Sequence, residues 1–414
     1  MSKKKIMVMA GITVLIVFVV SIVLIINLSN NNSSGSNEPK DAMYYVNRGD
    51  TYYNEGNYDQ AMTDYNKAIE LAPQMAFAYN RRGNAYSYKS DYDKAITDYT
   101  RAIELNPKYA DAYINRGQAY YESGEYHKSL SDFSKSIEID PQIIQAYINR
   151  GFLYFNTDEY DKAIDDYNMA IRMNLKDAES YRMRGNAFAA KGDYDKAIYD
   201  IKKAIELNPQ FTIAYTNLGK IYGDKGDYDK AITNINKAIE LKPNDPLPYS
   251  HLGSIYLSMR DYDKAISNCS KAIELNPDDP GLYINLGVVY NNQGDYDKAI
   301  TNINKAIELK PNDVTAYYNR GVVYFSKNDY DKAEADFLKA IDLQPNYVNA
   351  YLNLGSTYYK KGDYDKAISN LTTVIELTPT ASDAYFNRGV VYNRQGNYSK
   401  AEADFRRAKE LQTK

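Results

Sequence analysis

Seven arginines and seven aspartates, each pair sixteen positions apart, are the residues of this chain whose spacing most suggests chemistry, and the chemistry they suit is mutual neutralisation. Arg48, Arg82, Arg116, Arg150, Arg184, Arg320 and Arg388 are followed by Asp64, Asp98, Asp132, Asp166, Asp200, Asp336 and Asp404. At four more places in the same register the pair is replaced whole: Leu218, Leu252, Leu286 and Leu354 stand with Asn234, Asn268, Asn302 and Asn370. The matching holds eleven times in eleven, whereas one aspartate or asparagine matches the next arginine or leucine in only six cases of ten. A buried carboxylate stripped of its guanidinium costs roughly 3–5 kcal/mol, so partners in contact should change together. The expectation is a structural ion pair within one local unit. Duplication of two whole unit types is the competing account, because residues 226–245 and 294–313 are identical.

Other reactive groups are few. His127 and His251 are the only histidines and Cys269 the only cysteine, which leaves little for acid–base work at neutral pH and excludes a disulfide framework. No nucleophile–base set, glycine-rich phosphate loop or metal-ligand spacing occurs, so neither enzyme activity nor a cofactor or metal is expected. Residues 1–41 carry a net +2 and the remainder −6. An acidic array is poorly suited to phosphate backbones, which are held by clustered Lys and Arg, and nucleic acid is not expected as a partner.

The paired charges belong to a 34-residue unit that recurs eleven times without insertion from Ala42 to Lys414. The units begin at residues 42, 76, 110, 144, 178, 212, 246, 280, 314, 348 and 382, the last being one residue short. Tyr79, Gly83 and Tyr86 share one face of a first helix, and Ala95, Tyr99, Ala102 and Ile103 one face of a second. The connecting Gly226-Asp227-Tyr228-Asp229 supplies a left-handed turn residue, an N-cap and a first-turn acid. Pro243, Pro277 and Pro311 then stop the second helix. Ser90 replaces the turn glycine of the second unit and Leu175 the proline of the fourth, while Pro246, Pro248 and Pro280 crowd two later starts.

The run Tyr-x-x-[Leu/Arg]-Gly-x-x-Tyr, then Ala, an aromatic or aliphatic residue, Ala and Pro, resembles the tetratricopeptide repeat and covers residues 42–414. The resemblance implies an all-α fold, antiparallel helix pairs in a right-handed superhelical solenoid with the first helices lining its inner surface. It also implies a binding role toward proteins or peptides. Of 44 tyrosines, 32 hold three fixed positions, like Tyr45, Tyr52 and Tyr58, and are read as core. Cys269 replaces a core residue and is read as buried and inert.

In such a family the inner face is lined at the positions of Met43, Val46, Asn47, Asp50 and Tyr53. The third is asparagine in eight units: Asn47, Asn115, Asn149, Asn217, Asn285, Asn319, Asn353 and Asn387. A ladder of primary amides can donate to and accept from a peptide backbone without reading its sequence. Phe152, Phe155, Val288, Val322, Phe325 and Val390 stand nearby with few basic residues, which favours an extended or helical segment with apolar anchors. In the last unit Lys409 and Glu402 replace the usual aliphatic residues, as expected of a closed end.

Ahead of the array, Ile6 to Ile26 is an uncharged run long enough to span a bilayer core as a helix, preceded by Lys3, Lys4 and Lys5. The expected organisation is a cytoplasmic basic end (1–5), a transmembrane signal anchor (6–28), a flexible polar linker (29–41) and the array on the extracytoplasmic side. The expected function is that of a membrane-anchored, non-catalytic scaffold. The alternatives are a substrate-recruiting subunit of an enzyme or assembly complex, or a cytosol-facing receptor of inverted topology.

Overall fold

The computed structural model describes residues 41–412, so the anchor and all of the linker except Asp41 lie outside the described residues. Among those described, no helix is long and apolar enough to cross a membrane. They form 22 α-helices, two to each 34-residue unit, and no strand.

The chain divides into two compact units at Ala214/Tyr215. The first holds α1 (Ala42–Asn54), α2 (Tyr58–Leu71), α3 (Ala76–Tyr88), α4 (Tyr92–Leu105) and α5 (Ala110–Glu122). It continues with α6 (Tyr126–Ile139), α7 (Ile144–Asn156), α8 (Tyr160–Met173), α9 (Ala178–Ala190) and α10 (Tyr194–Leu207). Helix α11 (Thr212–Asp224) carries the division. The second unit holds α12 (Tyr228–Leu241), α13 (Pro246–Ser258), α14 (Tyr262–Leu275), α15 (Pro280–Gln293), α16 (Tyr296–Leu309) and α17 (Val314–Ser326). It ends with α18 (Tyr330–Leu343), α19 (Val348–Lys361), α20 (Tyr364–Leu377), α21 (Ser382–Arg394) and α22 (Tyr398–Gln412). Odd numbers are first helices and even numbers second helices.

Each hairpin closes on one residue with positive φ. Seven are glycines, such as Gly226 at +84°, but Ser90, Asp158, Arg260 and Asn328 hold φ between 60° and 63°. The turn therefore keeps its left-handed geometry where the sequence offers no glycine, at a cost of about 1–2 kcal/mol for a residue with a Cβ. Next comes the N-cap of the second helix. Asp91, Asp193, Asp227, Asp261, Asp295, Asp329 and Asp363 each accept from the backbone N–H three residues on. Pro246 and Pro280 fall at the starts of α13 and α15, behind the capping Asp245 and Asp279, where a missing N–H leaves no bond unmade. Helix α8 ends in register although Leu175 stands where the proline would be.

The signature glycines let the two helices of a hairpin touch. A methyl group at Gly83 would stand 2.6 Å from Tyr99 Cε1, and the same intrusion onto the residue sixteen positions on recurs from Gly49 to Gly389. Buried alanines such as Ala61, Ala68 and Ala78, all 0% exposed, do the same between second helices and their neighbours. Within each unit, a second helix packs on the next first helix, and consecutive first helices also touch. First helices thus form a row of their own within each compact unit, and the register of Met43 to Tyr53 lies on the helices of that row.

Candidate functional site

Each of the seven arginines reaches the aspartate sixteen residues on with two parallel N–H bonds. Arg150 donates from Nε to Asp166 Oδ2 at 2.9 Å and from Nη2 to Oδ1 at 2.7 Å. The same fork joins Arg48–Asp64, Arg82–Asp98, Arg116–Asp132, Arg184–Asp200, Arg320–Asp336 and Arg388–Asp404. All seven carboxylates are buried. The bond to Asp166 holds the Arg150 guanidinium above its ordinary value, while burial raises the Asp166 carboxyl against the pull of Arg150.

Six of these arginines spend a further N–H on the preceding repeat. Nη1 of Arg82, Arg116, Arg150, Arg184, Arg320 and Arg388 meets Asn66, Thr100, Ser134, Asn168, Asn304 and Thr372 respectively, at 2.6–3.2 Å. One guanidinium closes its own hairpin and clips it to the one before. In the other hairpin type, Asn234, Asn268, Asn302 and Asn370 turn back on their own helices, donating to the carbonyls of Lys230, Lys264, Lys298 and Lys366 at 2.8 Å. An amide satisfied there needs no partner across the hairpin, and buried Leu218, Leu252, Leu286 and Leu354 fill the space.

The eight inner asparagines do not make one continuous row of free amides. Asn115 donates to Asn80, Asn285 to Ser250 and Asn353 to the Tyr318 hydroxyl, each at 3.0 Å and each onto the first helix of the preceding repeat. Asn319 donates to the Thr315 carbonyl at 2.7 Å, Asn149 accepts from Gln145 at 2.7 Å, and Asn217 is also engaged. Only exposed Asn47 and half-buried Asn387 make no side-chain hydrogen bond among the described residues. The sequence signal for the first arrangement was available: a short polar or hydroxyl-bearing residue 35 positions back.

The apolar candidates are half-buried, each resting on a core and turning an edge outward. Phe152 and Phe155 lie on the cluster of Ala163, Tyr167 and Ala187. Val288 lies on that of Ile284 and Ile303, and Val322 and Phe325 on that of Phe337 and Leu354. Val390 is half-buried beside fully buried Val391.

Of the three departures from asparagine in this register, Arg81 and His251 carry charge or its possibility, and the third is Met183. Arg81 stacks on the Phe77 ring at 4.4 Å with Nε 3.4 Å from Asp50, which also accepts from the Tyr65 hydroxyl at 2.7 Å. Burial raises the Asp50 carboxyl against the pull of Arg81. One residue before the register, buried Arg182 pairs with Glu179 on its own helix. His251 is half-buried, and burial, with Lys220 adding to it, pushes its imidazole down to about 4. Burial likewise pushes the Cys269 thiol up to about 12. Among the described residues no three His, Cys, Asp or Glu side chains are grouped to hold a metal ion.

A family model described as the cilia and flagella-associated protein 70 C-terminal domain matches residues 26–245. Tetratricopeptide-repeat models match 246–279, 268–301, 289–327, 314–347 and 352–413. No curated protein matches the chain. Among solved structures, yeast Tom70 is similar at 20% identity, with 89% of this chain and 92% of that chain covered and a TM-score of 0.54. A tetratricopeptide repeat protein from Parabacteroides merdae ATCC 43184 is similar at 20% identity, with 60% and 98% covered and a TM-score of 0.52. At such identities the likeness is one of fold. The repeats, the hairpin geometry and these matches together make the chain a member of the tetratricopeptide-repeat family, with the cilia and flagella-associated protein 70 C-terminal domain as the member model that covers just over half of it.

Proposed function

We propose that the chain is a membrane-anchored, non-catalytic adaptor that holds protein or peptide partners along the inner row of first helices. One observation carries the reading: signature positions repeat from unit to unit, whereas the first-helix register at position 50 differs from repeat to repeat. Position 50 and its equivalents run Asp50, Asn84, Gln118, Phe152, Asn186, Lys220, Ser254, Val288, Val322, Ser356 and Val390. A face that varies on a scaffold that does not is suited to recognition. Half-buried aromatic and aliphatic edges beside amides supply anchors and polar contacts for an extended or helical segment. The buried Arg–Asp pairs are engaged in packing each hairpin.

Anchoring and topology rest on the sequence of residues 1–40, namely the uncharged run Ile6 to Ile26 behind Lys3–Lys5. The array then stands on the extracytoplasmic side.

Photo-crosslinking in intact cells tests the binding face. A photoreactive residue at Phe325 or Tyr359 should trap partners, and one at outer-face Lys305 or Lys339 should not. Adducts only from the outer positions would overturn the inner-face reading. Added protease should digest the array in intact cells or spheroplasts, and protection until lysis would reverse the topology.

A further inference from the structure

The last turn of each first helix carries a residue at the position of Asn54, one beyond the register read as the inner lining. It is four residues beyond Asp50 and eight beyond Val46, and so lies on the same helix face. In the fourth repeat its geometry is direct: Asn156 donates to the Tyr121 hydroxyl of the preceding first helix at 3.1 Å. Across the array this position reads Asn54, Tyr88, Glu122, Asn156, Ala190, Asp224, Ser258, Asn292, Ser326, Lys360 and Arg394. Only the last two repeats place a cation there, in equivalent positions on neighbouring helices α19 and α21.

Both cations are exposed, and neither meets a carboxylate among the described residues. Their neighbours differ. Lys361 is held by Asp331 and Glu334, Lys327 by Asp297, and Arg388 by Asp404. Apolar surface is presented by Phe325 on α17 and Tyr359 on α19, both half-buried, and by Phe386 on α21, which is 51% exposed. The one unpaired acid on this face is Asp383, in the first turn of α21, about 16 Å along the helix from Arg394. Elsewhere the array is acidic, so an acidic partner would be repelled from most surfaces and drawn to this one.

We propose that the inner face of α17, α19 and α21 docks an acidic amphipathic segment of another protein, its carboxylates against Lys360 and Arg394 and its apolar side chains on Phe325, Tyr359 and Phe386. This rests on the inner-row reading above and gives that row a local chemistry. Two cations in register select charge and orientation, and the aromatic edges supply the buried contact.

The test uses the full-length chain in non-ionic detergent and two labelled synthetic peptides followed by fluorescence anisotropy. One has Leu and Phe anchors with Glu as its only charged residue, and the other has Lys in place of Glu. At low salt the Glu peptide should bind about 10-fold tighter than the Lys peptide, and the difference should shrink as salt is raised. Lys360→Glu with Arg394→Glu should weaken the Glu peptide about 10-fold and tighten the Lys peptide, while Lys305→Glu with Lys339→Glu leaves both unchanged. Equal affinities, or no effect of the Lys360/Arg394 reversal, would overturn the proposal. If Phe325→Ser with Phe386→Ser then weakens both peptides alike, the inner row binds peptides without regard to charge and only the acidic partner falls. If that pair of changes also has no effect, the inner-row reading falls with it.

Discussion

In repeats one to five a guanidinium fork fills the space between the two helices of a hairpin, and in repeats six to eight a leucine fills it. The backbone hardly notices. The turns are left-handed in both, and the signature glycine meets the residue sixteen positions on in both. What differs is the reach of the filling group. Leu252 and Asn268 are each satisfied locally, by packing and by the Lys264 carbonyl. Arg150 needs Asp166 and also grips Ser134 in the preceding repeat. A buried ion pair is often no better than a well-packed apolar replacement, so the two hairpin types can be similar in intrinsic stability. The extra N–H bond, worth about 0.5–1.5 kcal/mol, falls on the junction. In a stack held by nearest-neighbour terms, the arginine repeats should therefore be the more strongly coupled.

The largest effect expected from this contrast comes from breaking one pair. Arg150→Leu should destabilise the chain by about 3 kcal/mol, because Asp166 stays buried without its partner. Adding Asp166→Asn should restore all but about 1 kcal/mol, since the new amide can turn back on its own helix as Asn268 does and only the Ser134 bond stays lost. Urea midpoints of the full-length chain give both numbers. A double variant no more stable than the single one would break the comparison.

A smaller effect belongs to the leucine repeats. His251 faces Lys220, Asp224 and Asp245 and titrates near 4 in the folded chain, below the ordinary 6.5. A lowered folded value means that its contribution is intact above pH 6.5 and lost as pH falls toward 4, where the unfolded chain takes up a proton that the folded one refuses. The loss should reach roughly 2 kcal/mol by pH 4. His251→Asn, the residue of eight other repeats, should remove that part of the acid sensitivity, and identical pH–stability curves for the two proteins would refute the assignment.

The smallest effect sharpens the other side. Ser129 and Ser136 stand fully buried in repeat three where repeats one and two have Ala61, Ala68, Ala95 and Ala102, and neither hydroxyl has a partner. Ser129→Ala and Ser136→Ala should each stabilise by about 1 kcal/mol in the same denaturation experiment. A loss of stability would mean that the hydroxyls are satisfied.

Much of the hairpin could be read from the residues because its rules recur. Glycine against an aromatic or aliphatic side chain, alanine at the close contacts and aspartate at the N-cap appear in unit after unit. Arg and Asp could be matched because both change together. The links between repeats were harder to read. The acceptor of the arginine Nη1 is Asn, Thr or Ser by turns, and that of the inner asparagine is Asn, Ser or Tyr, so no single residue type marks the contact. Arg260 in a left-handed turn was also hidden, because the hairpin imposes the conformation and the side chain does not prefer it. Lys360 and Arg394 escaped notice for a simpler reason, standing one residue outside the register expected to line the inner face.

The links between neighbours have a consequence for the gene as well as the molecule. Each reaches to a fixed offset, sixteen or 35 residues back, whichever repeat it starts from. The identical blocks 226–245 and 294–313 begin 68 residues apart, the span of two repeats. Unequal exchange between them would remove or add two whole hairpin units, and every donor would still find an acceptor position at its customary distance. The length of the array is thus free to change by inheritance in whole steps of two hairpins.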